Sequence, residues 1–293
     1  MAMIPNQLPR LASDPTGHSL GLDLPPGSLT GPADSPYLWS GHAPAGPDTW
    51  AALRPAARTA GLLPVLLGGD RHPDDWRLTP ELTTDPADHD ADEVLADLWH
   101  AYAAASAIPK AAPHPKATAT ATATAEEPPG SLPSHAETVS PFTDAWPGTS
   151  PALPLHTDPD HTAAAVAVAA TLTEPGSWLA DARPALVPAR RSADIPATIG
   201  WTGPLDHETD TARLSAVLRS WEDRFGARLI ALTPNQLLLS IAAPPLTTPQ
   251  AQAIAPEHLA FSPTTLTQSP HPTLHTYAHH TLLNAPIWTF RWS

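Results

Sequence analysis

One stretch, residues 209–242 (TDTARLSAVLRSWEDRFGARLIALTPNQLLLSIA), constrains the fold of this chain more than any other. Leu214, Val217, Leu218, Trp221 and Phe225 recur at helical spacing, so one stripe of a helix is apolar while Arg213, Arg219, Glu222 and Asp223 face away from it. Gly226 stops the helix, because a glycine just past the last periodic residue takes up the left-handed cap without steric cost. Arg219 and Arg224 in the final turns suit the negative end of the helix dipole. Two apolar runs follow, 229–232 and 237–242, separated by Thr233, Pro234, Asn235 and Gln236, whose Pro-Asn pair favours a turn. The unit is helix, strand, turn, strand, and it carries no chemistry of its own.

Upstream, Asp48 caps a helix with Trp50, Leu53 and Ala57 on one face, Gly61 closes it, and a buried strand follows over 62–67. A second helix over 91–105 buries Val94, Leu95, Leu98, Trp99 and Tyr102. Residues 1–35, rich in proline and glycine, read as irregular, and 37–40 as a short strand. Between 108 and 158 the periodicity dissolves into Pro, Ala, Thr, Ser and His, including an Ala-Thr alternation over 117–125. Neither face of that alternation carries enough apolar area to offset ordering costs of about 1–2 kcal/mol per residue. The segment reads as a disordered linker, with Phe142 and Trp146 as incidental aromatics.

Order returns with a helix over 160–172, a strand over 184–188 and a segment over 195–201 that leads into the central helix. Thr248 followed by Pro249 reads as a helix start with a hydroxyl cap, and Ala251, Ile254, Ala255, Leu259 and Phe261 form its apolar side. Pro256 lies inside it, and because an interior proline costs about 3 kcal/mol, a kink or break is predicted there. A helix over 272–283 turns Leu274, Tyr277, Ala278 and Leu282 inward, and a last strand over 287–292 puts Trp288, Phe290 and Trp292 on one face. The expected fold class is α+β (mixed α/β). It comprises an N-terminal α/β subdomain (1–107), the linker (108–158) and a C-terminal α+β domain (159–293) that holds the hairpin and the final aromatic strand.

Charge and composition exclude several functions. With 29 acidic against 15 basic residues the formal charge is −14, which disfavours nucleic-acid binding. The only lysines, Lys110 and Lys116, fall in the linker, so no lysine patch exists for an anionic membrane. The absence of cysteine removes disulfides, thiolate metal sites, iron–sulfur clusters and cysteine nucleophiles, and it suits a reducing compartment. Pro5, Pro9, Pro15, Pro25 and Pro26 interrupt any apolar leader, and the longest apolar run, 163–172, is far short of the roughly 20 residues that span a bilayer. These features together point to a cytoplasmic protein without a membrane association or a cofactor.

Four groups of residues are candidate sites. Glu257 beside His258, together with Gln268, is the best polar cluster for acid/base work, although adjacent helical residues point about 100° apart and a buried histidine is the plainer reading. His275 and His279, in a row with His271 and beside His280, have the four-residue spacing that chelates zinc, but no acidic or cysteine ligand stands in the same segment, and a native metal is not expected. The acidic run Asp85, Asp88, Asp90, Asp92, Glu93 lacks the glycine and bidentate glutamate of a calcium loop and reads as a helix N-terminus. The row Trp288, Phe290, Trp292 has the form of a stacking surface for a ligand, and core packing against Trp221 and Phe225 competes with that reading.

Taken together, GWTG (200–203), LRSWEDRFGARL (218–229), AAPP (242–245), EHLAF (257–261), Gln268, TYA (276–278) and WTFRW (288–292) resemble the DUF4253 domain family of actinobacteria. The resemblance covers 184–293, and PPG (25–27), YLWS (37–40) and GLLPVLL (61–67) resemble the N-terminal half of longer members. This chain departs from the family pattern where Ser262, Pro263, Thr264 replace a Cys-Pro-Asp turn, where Arg291, Trp292, Ser293 replace a Trp-Trp-Asp-like end, and at Pro256. The resemblance implies an intracellular protein of unassigned function and supplies no catalytic residues. The expected function is therefore that of a non-enzymatic cytoplasmic binding or interaction protein, with a protein among its possible partners. The alternative is a hydrolase-type enzyme built around Glu257, His258 and Gln268.

Overall fold

A computed structural model describes residues 5–69, 75–107, 133–153 and 160–292 of the chain. In chain order the elements are β1 (Gly27–Thr30), β2 (Leu38–Gly41), α1 (Thr49–Leu53), α2 (Pro55–Ala60), β3 (Leu63–Leu67), α3 (Ala91–Ala107), α4 (His135–Val139) and α5 (His161–Leu172). They continue with β4 (Arg183–Val187), α6 (Ile195–Ile199), α7 (Thr211–Phe225), β5 (Ala227–Leu232), β6 (Gln236–Ile241), α8 (Thr248–Phe261), α9 (Pro263–Thr267), α10 (Leu274–Tyr277) and β7 (Ile287–Arg291). The fold is mixed α+β, as the sequence leads one to expect.

All seven strands join one sheet in the order β1-β2-β4-β3-β5-β6-β7. β3 and β5 run parallel and the other described pairings are antiparallel. The parallel ladder is confined to Leu66 and Leu67, since Pro64 has no N–H to offer. β5 and β6 form the expected hairpin, with a register shift between Leu229 and Ala231. On one face of the sheet, α3, α7 and α8 bury Val65, Val187, Leu229, Leu239, Trp288 and Phe290. The other face carries α5 and Trp50 of α1 over Leu66, Ile230 and Leu238, and a neighbouring cluster closes Trp39 and Leu186 under Leu8, Leu11 and α2. Among the described residues no helix is long and apolar enough to cross a membrane.

The central helix forms as its pattern dictates. Asp210 accepts from Ala212 N at its start, Gly226 (φ 61°) caps its end, and Leu214, Val217, Leu218, Trp221 and Phe225 are buried.

Several expectations need correction. Strand β1 lies within the stretch read as irregular, because four residues are too few to show alternation and its pairing to β2 supplies the order. The cap of α8 is Thr247, one residue earlier than expected, in a capping box with Gln250. The same helix continues across Pro256 without interruption, since every residue from 254 to 261 is buried and that packing outweighs the proline penalty. The helix expected over 272–283 is a single α turn that passes into a π turn over Ala278–Leu282.

The largest correction concerns the division into two units. β2 and β3, both from the first 107 residues, are not paired with each other; β4 lies between them and pairs with both. The first hundred residues and residues 183–293 therefore build one sheet. The expected linker is also ordered in part. Residues 133–153 form a strap across α3, α7 and α8, in which Ser134 and Glu137 make a capping box for α4. Phe142 and Trp146 pack against the main core and are not incidental: Trp146 lies 5.7 Å from Trp99, and its Nε1 donates to Asp92 at 3.0 Å. Composition hid this, because a strap held by a few anchors needs no periodic apolar face. The remaining linker positions, 108–132 and 154–158, the Ala-Thr alternation among them, lie outside the described residues.

Candidate functional site

Glu257 and His258 occupy the most buried turn of α8 and face in different directions. The Glu257 carboxylate is fully buried and saturated with donors. Its Oε1 accepts from Ser150 N at 2.8 Å, Ser150 Oγ at 2.6 Å and Arg224 Nη1 at 2.9 Å. Its Oε2 accepts from Trp221 Nε1 at 2.7 Å and from Arg224 Nη2. A carboxylate so engaged holds the strap against α7 and α8, and no acceptor capacity remains for a substrate proton.

His258 sits instead in an aromatic cage. Its Nδ1 is 3.2 Å from the Tyr277 hydroxyl, its ring meets Trp288 edge-on with centroids 4.4 Å apart, and Phe290 lies 4.7 Å away. Burial first, and the positive Arg224 second, hold its pKa down to about 3, and burial likewise raises that of Tyr277. His258 is a neutral imidazole. An Nδ1 that accepts from the Tyr277 hydroxyl leaves the proton on Nε2, which has no hydrogen-bond acceptor. Gln268 is exposed beyond the end of α9, where its carbonyl accepts from Arg291 Nη2 at 2.9 Å. The three residues of the enzymatic alternative do not converge on one cavity.

The other candidates are dispersed as well. Trp288, Phe290 and Trp292 lie inside the main core, where Trp221 stacks on Phe290 at 5.1 Å and meets Trp288 edge-on at 5.5 Å. His275 and His279 are exposed; His275 Nδ1 pairs with Gln252 Nε2 at 2.9 Å, while His271 and His280 stack face to face at 4.2 Å, a geometry in which their lone pairs cannot share an ion. Among the described residues no group of three or more His, Asp or Glu side chains is disposed to hold a metal. The acidic run caps backbone: Asp90 Oδ1 accepts from Asp92 N and Glu93 N, and Asp92 Oδ1 accepts from Thr149 N in the strap.

What remains is a cleft at one end of the sheet, beside the last residues of β4 and the first of β3. Its volume is about 1070 Å³, and its walls are Gly61, the loop Thr83–Ala87, the loop Pro188–Arg191, Asp194, Ala197 and Thr198 of α6, and Arg219 of α7. Local sequence explains this shape. β4 ends at Val187, before Pro188, which cannot extend the ladder, and after Ala189 come Arg190 and Arg191, where the chain turns toward Asp194. Across the floor, the Nε of Arg219 donates to Asp194 Oδ1. Arg191 is the electrostatic hub: its Nε donates to Glu222 Oε1 at 3.3 Å and its Nη2 to Asp223. Burial works against its charge, but Asp223 and Glu222 more than offset this and hold Arg191 above the ordinary guanidinium value. The cleft thus presents the guanidinium groups of Arg190, Arg191 and Arg219, the kind of group that suits carboxylate or phosphate oxygens, beside the carboxylates of Asp85 and Asp194, while the hydroxyls of Thr83 and Thr84 are spent on Pro80 O, Ala197 O and Asp210 Oδ2.

Of these cleft residues the sequence nominated only Asp85, as part of the acidic run, and none of the arginines. The available signal was the Arg-Arg pair directly after a buried strand, since a strand end is where a fold presents side chains at its rim.

Residues 183–293 match the family model described as Domain of unknown function (DUF4253), so the chain carries a DUF4253 domain that begins at β4. Neither a curated protein nor a solved structure matches the chain.

Proposed function

We propose that this protein is a non-enzymatic binding protein and that its site is the arginine-lined cleft, which takes a small molecule bearing an anionic group. One observation carries the reading: in a chain with 29 acidic and 15 basic residues, three arginines from two elements converge on a cleft of about 1070 Å³. Ligand sites are concave, commonly about 300–1000 Å³, and carry few but well-oriented polar groups. The burial of Glu257 and His258, and their separation from Gln268, supports this reading over the hydrolase alternative. We assign the protein to the cytoplasm, for which the lack of cysteine is the supporting feature, and the actinobacterial source implied by the resemblance belongs to the same proposal.

The test is a thermal-shift and calorimetric screen of small carboxylates and phosphates against the full chain and Arg190→Gln. A ligand present at a hundred times its Kd stabilises the folded state by about 2.7 kcal/mol, a readily measured shift. A hit that binds Arg190→Gln at least tenfold more weakly supports the cleft. Hits that bind the variant unchanged, or a screen without hits, overturn it.

A further inference from the structure

We infer that the ligand carries two anionic groups, the second held in an adjoining hollow by Arg10 and Arg58. This rests on the cleft reading above and adds a substrate class to it.

A second hollow of about 490 Å³ is lined by Gln7, Arg10, Ser19, Arg58 and Thr59, among others, and it shares Gly61 with the main cleft. Gly61 thus borders both hollows. Gly61 ends α2 in the left-handed conformation (φ 65°), where a glycine is favoured, and the lack of a side chain leaves the divide between the hollows low.

The two hollows differ in how their cations are balanced. In the main cleft Arg191 and Arg219 already face Glu222, Asp223 and Asp194. In the second, Arg10 and Arg58 are exposed and neither makes an ion pair with another described residue. The hydroxyls beside them are partly committed, since Thr59 Oγ1 donates to Pro55 O and the Ser19 hydroxyl and N–H serve Asp14. The charge of the second hollow therefore resides in two guanidinium groups. In a chain with twice as many acids as bases, two unpaired arginines around one hollow form a local field that attracts an anion. A molecule with a neutral body and an anion at each end fits the pair of hollows, one end at Arg190 and Arg191 and the other at Arg10 and Arg58.

The experiment is calorimetric titration of the full chain with hexyl phosphate and with butane, hexane and octane bisphosphates, at low and moderate salt. One bisphosphate should bind about tenfold or more tightly than hexyl phosphate, because the second anion docks intramolecularly. Arg10→Gln/Arg58→Gln should reduce that bisphosphate to the affinity of hexyl phosphate while hexyl phosphate itself binds unchanged; both positions are exposed, so folding is retained, as far-ultraviolet circular dichroism should show. Equal binding of mono- and bisphosphates, or a double variant indifferent to both, overturns the second site and leaves the cleft standing. Absence of binding by every probe, or indifference of hexyl phosphate to Arg190→Gln, overturns the cleft and the second site together.

Discussion

Replacing Glu257 should unfold a large part of this protein's margin of stability, although a carboxylate next to a histidine invites a catalytic interpretation. Glu257→Leu removes five hydrogen bonds at once and strands what made them: the Arg224 guanidinium, whose side chain is only 14% exposed, the indole N–H of Trp221, and the N–H and hydroxyl of Ser150. Removing one partner of a buried ion pair costs about 3–5 kcal/mol, chiefly through the charge left uncompensated. The orphaned Trp221 donor adds about 1–3 kcal/mol where it cannot reach water, and because these effects share one network they do not sum. An expected loss of about 4 kcal/mol stands against a total of about 5–15 kcal/mol for a folded protein. Glu257→Gln should also destabilise, since either orientation of the amide turns an NH₂ toward existing donors. Urea unfolding followed by tryptophan fluorescence measures both. The decisive comparison is Glu257→Leu with and without Arg224→Met: removal of the stranded charge should restore at least about 2 kcal/mol. If Glu257→Leu unfolds within about 1 kcal/mol of wild type at an unchanged m-value, the carboxylate is not structural and the enzymatic reading regains its best residue.

Three further outcomes are expected. His258 stays neutral in the fold to about pH 3, whereas in an unfolded chain it takes a proton near 6.5, so stability fully present above pH 6.5 is lost as pH falls toward 3, at about 1.4 kcal/mol per unit; His258→Phe should flatten the stability profile between pH 6.5 and 5 by about one proton, and an unaltered slope would refute the assignment. Residues 133–153 should resist limited proteolysis, and Asp92→Ala, which removes the acceptor for Trp146 Nε1 and Thr149 N, should open that strap to cleavage while the sheet stays protected; equal digestion of wild type and variant would show that these bonds do not hold it. Trp221→Ala and Trp288→Ala should each cost about 3–5 kcal/mol or abolish soluble expression, because both rings lie in the same aromatic cluster; a melting temperature within a degree of wild type would exclude a core role.

Much of the secondary structure was legible because it follows local rules. The stripe of α7 and its Gly226 cap, the hairpin of β5 and β6, and the alternation of β7 each state their structure within a dozen residues. What was not legible depends on partners distant in sequence. β1 is a strand only because β2 lies beside it, α8 survives Pro256 only because its surroundings are packed, and the strap is ordered by Asp92, Arg224 and Glu257, none of which is near it in the chain. The same holds for the cleft: Gly61, Thr83, Arg190 and Arg219 are scattered over more than half the chain, and composition reads their sum as an acidic surface. Glu257 and His258 stood out as a pair for their chemistry, yet the helical turn between them sends one to an ion pair and the other to an aromatic cage.

The strand order sets a limit on how this molecule can be divided. The segment that matches the family carries β4 to β7, but β4 and β5 are not neighbours, since β3 from the N-terminal part stands between them. Cut out alone, residues 183–293 would hold a slot about 10 Å across, two strand spacings, edged on both sides by unpaired backbone donors and acceptors. That slot has a defined plug: residues 61–69, GLLPVLLGG, antiparallel to one wall and parallel to the other. A peptide of this sequence supplied in trans should rescue the isolated segment by strand complementation, and a scrambled version should not, which makes the protein a natural candidate for a two-piece reporter.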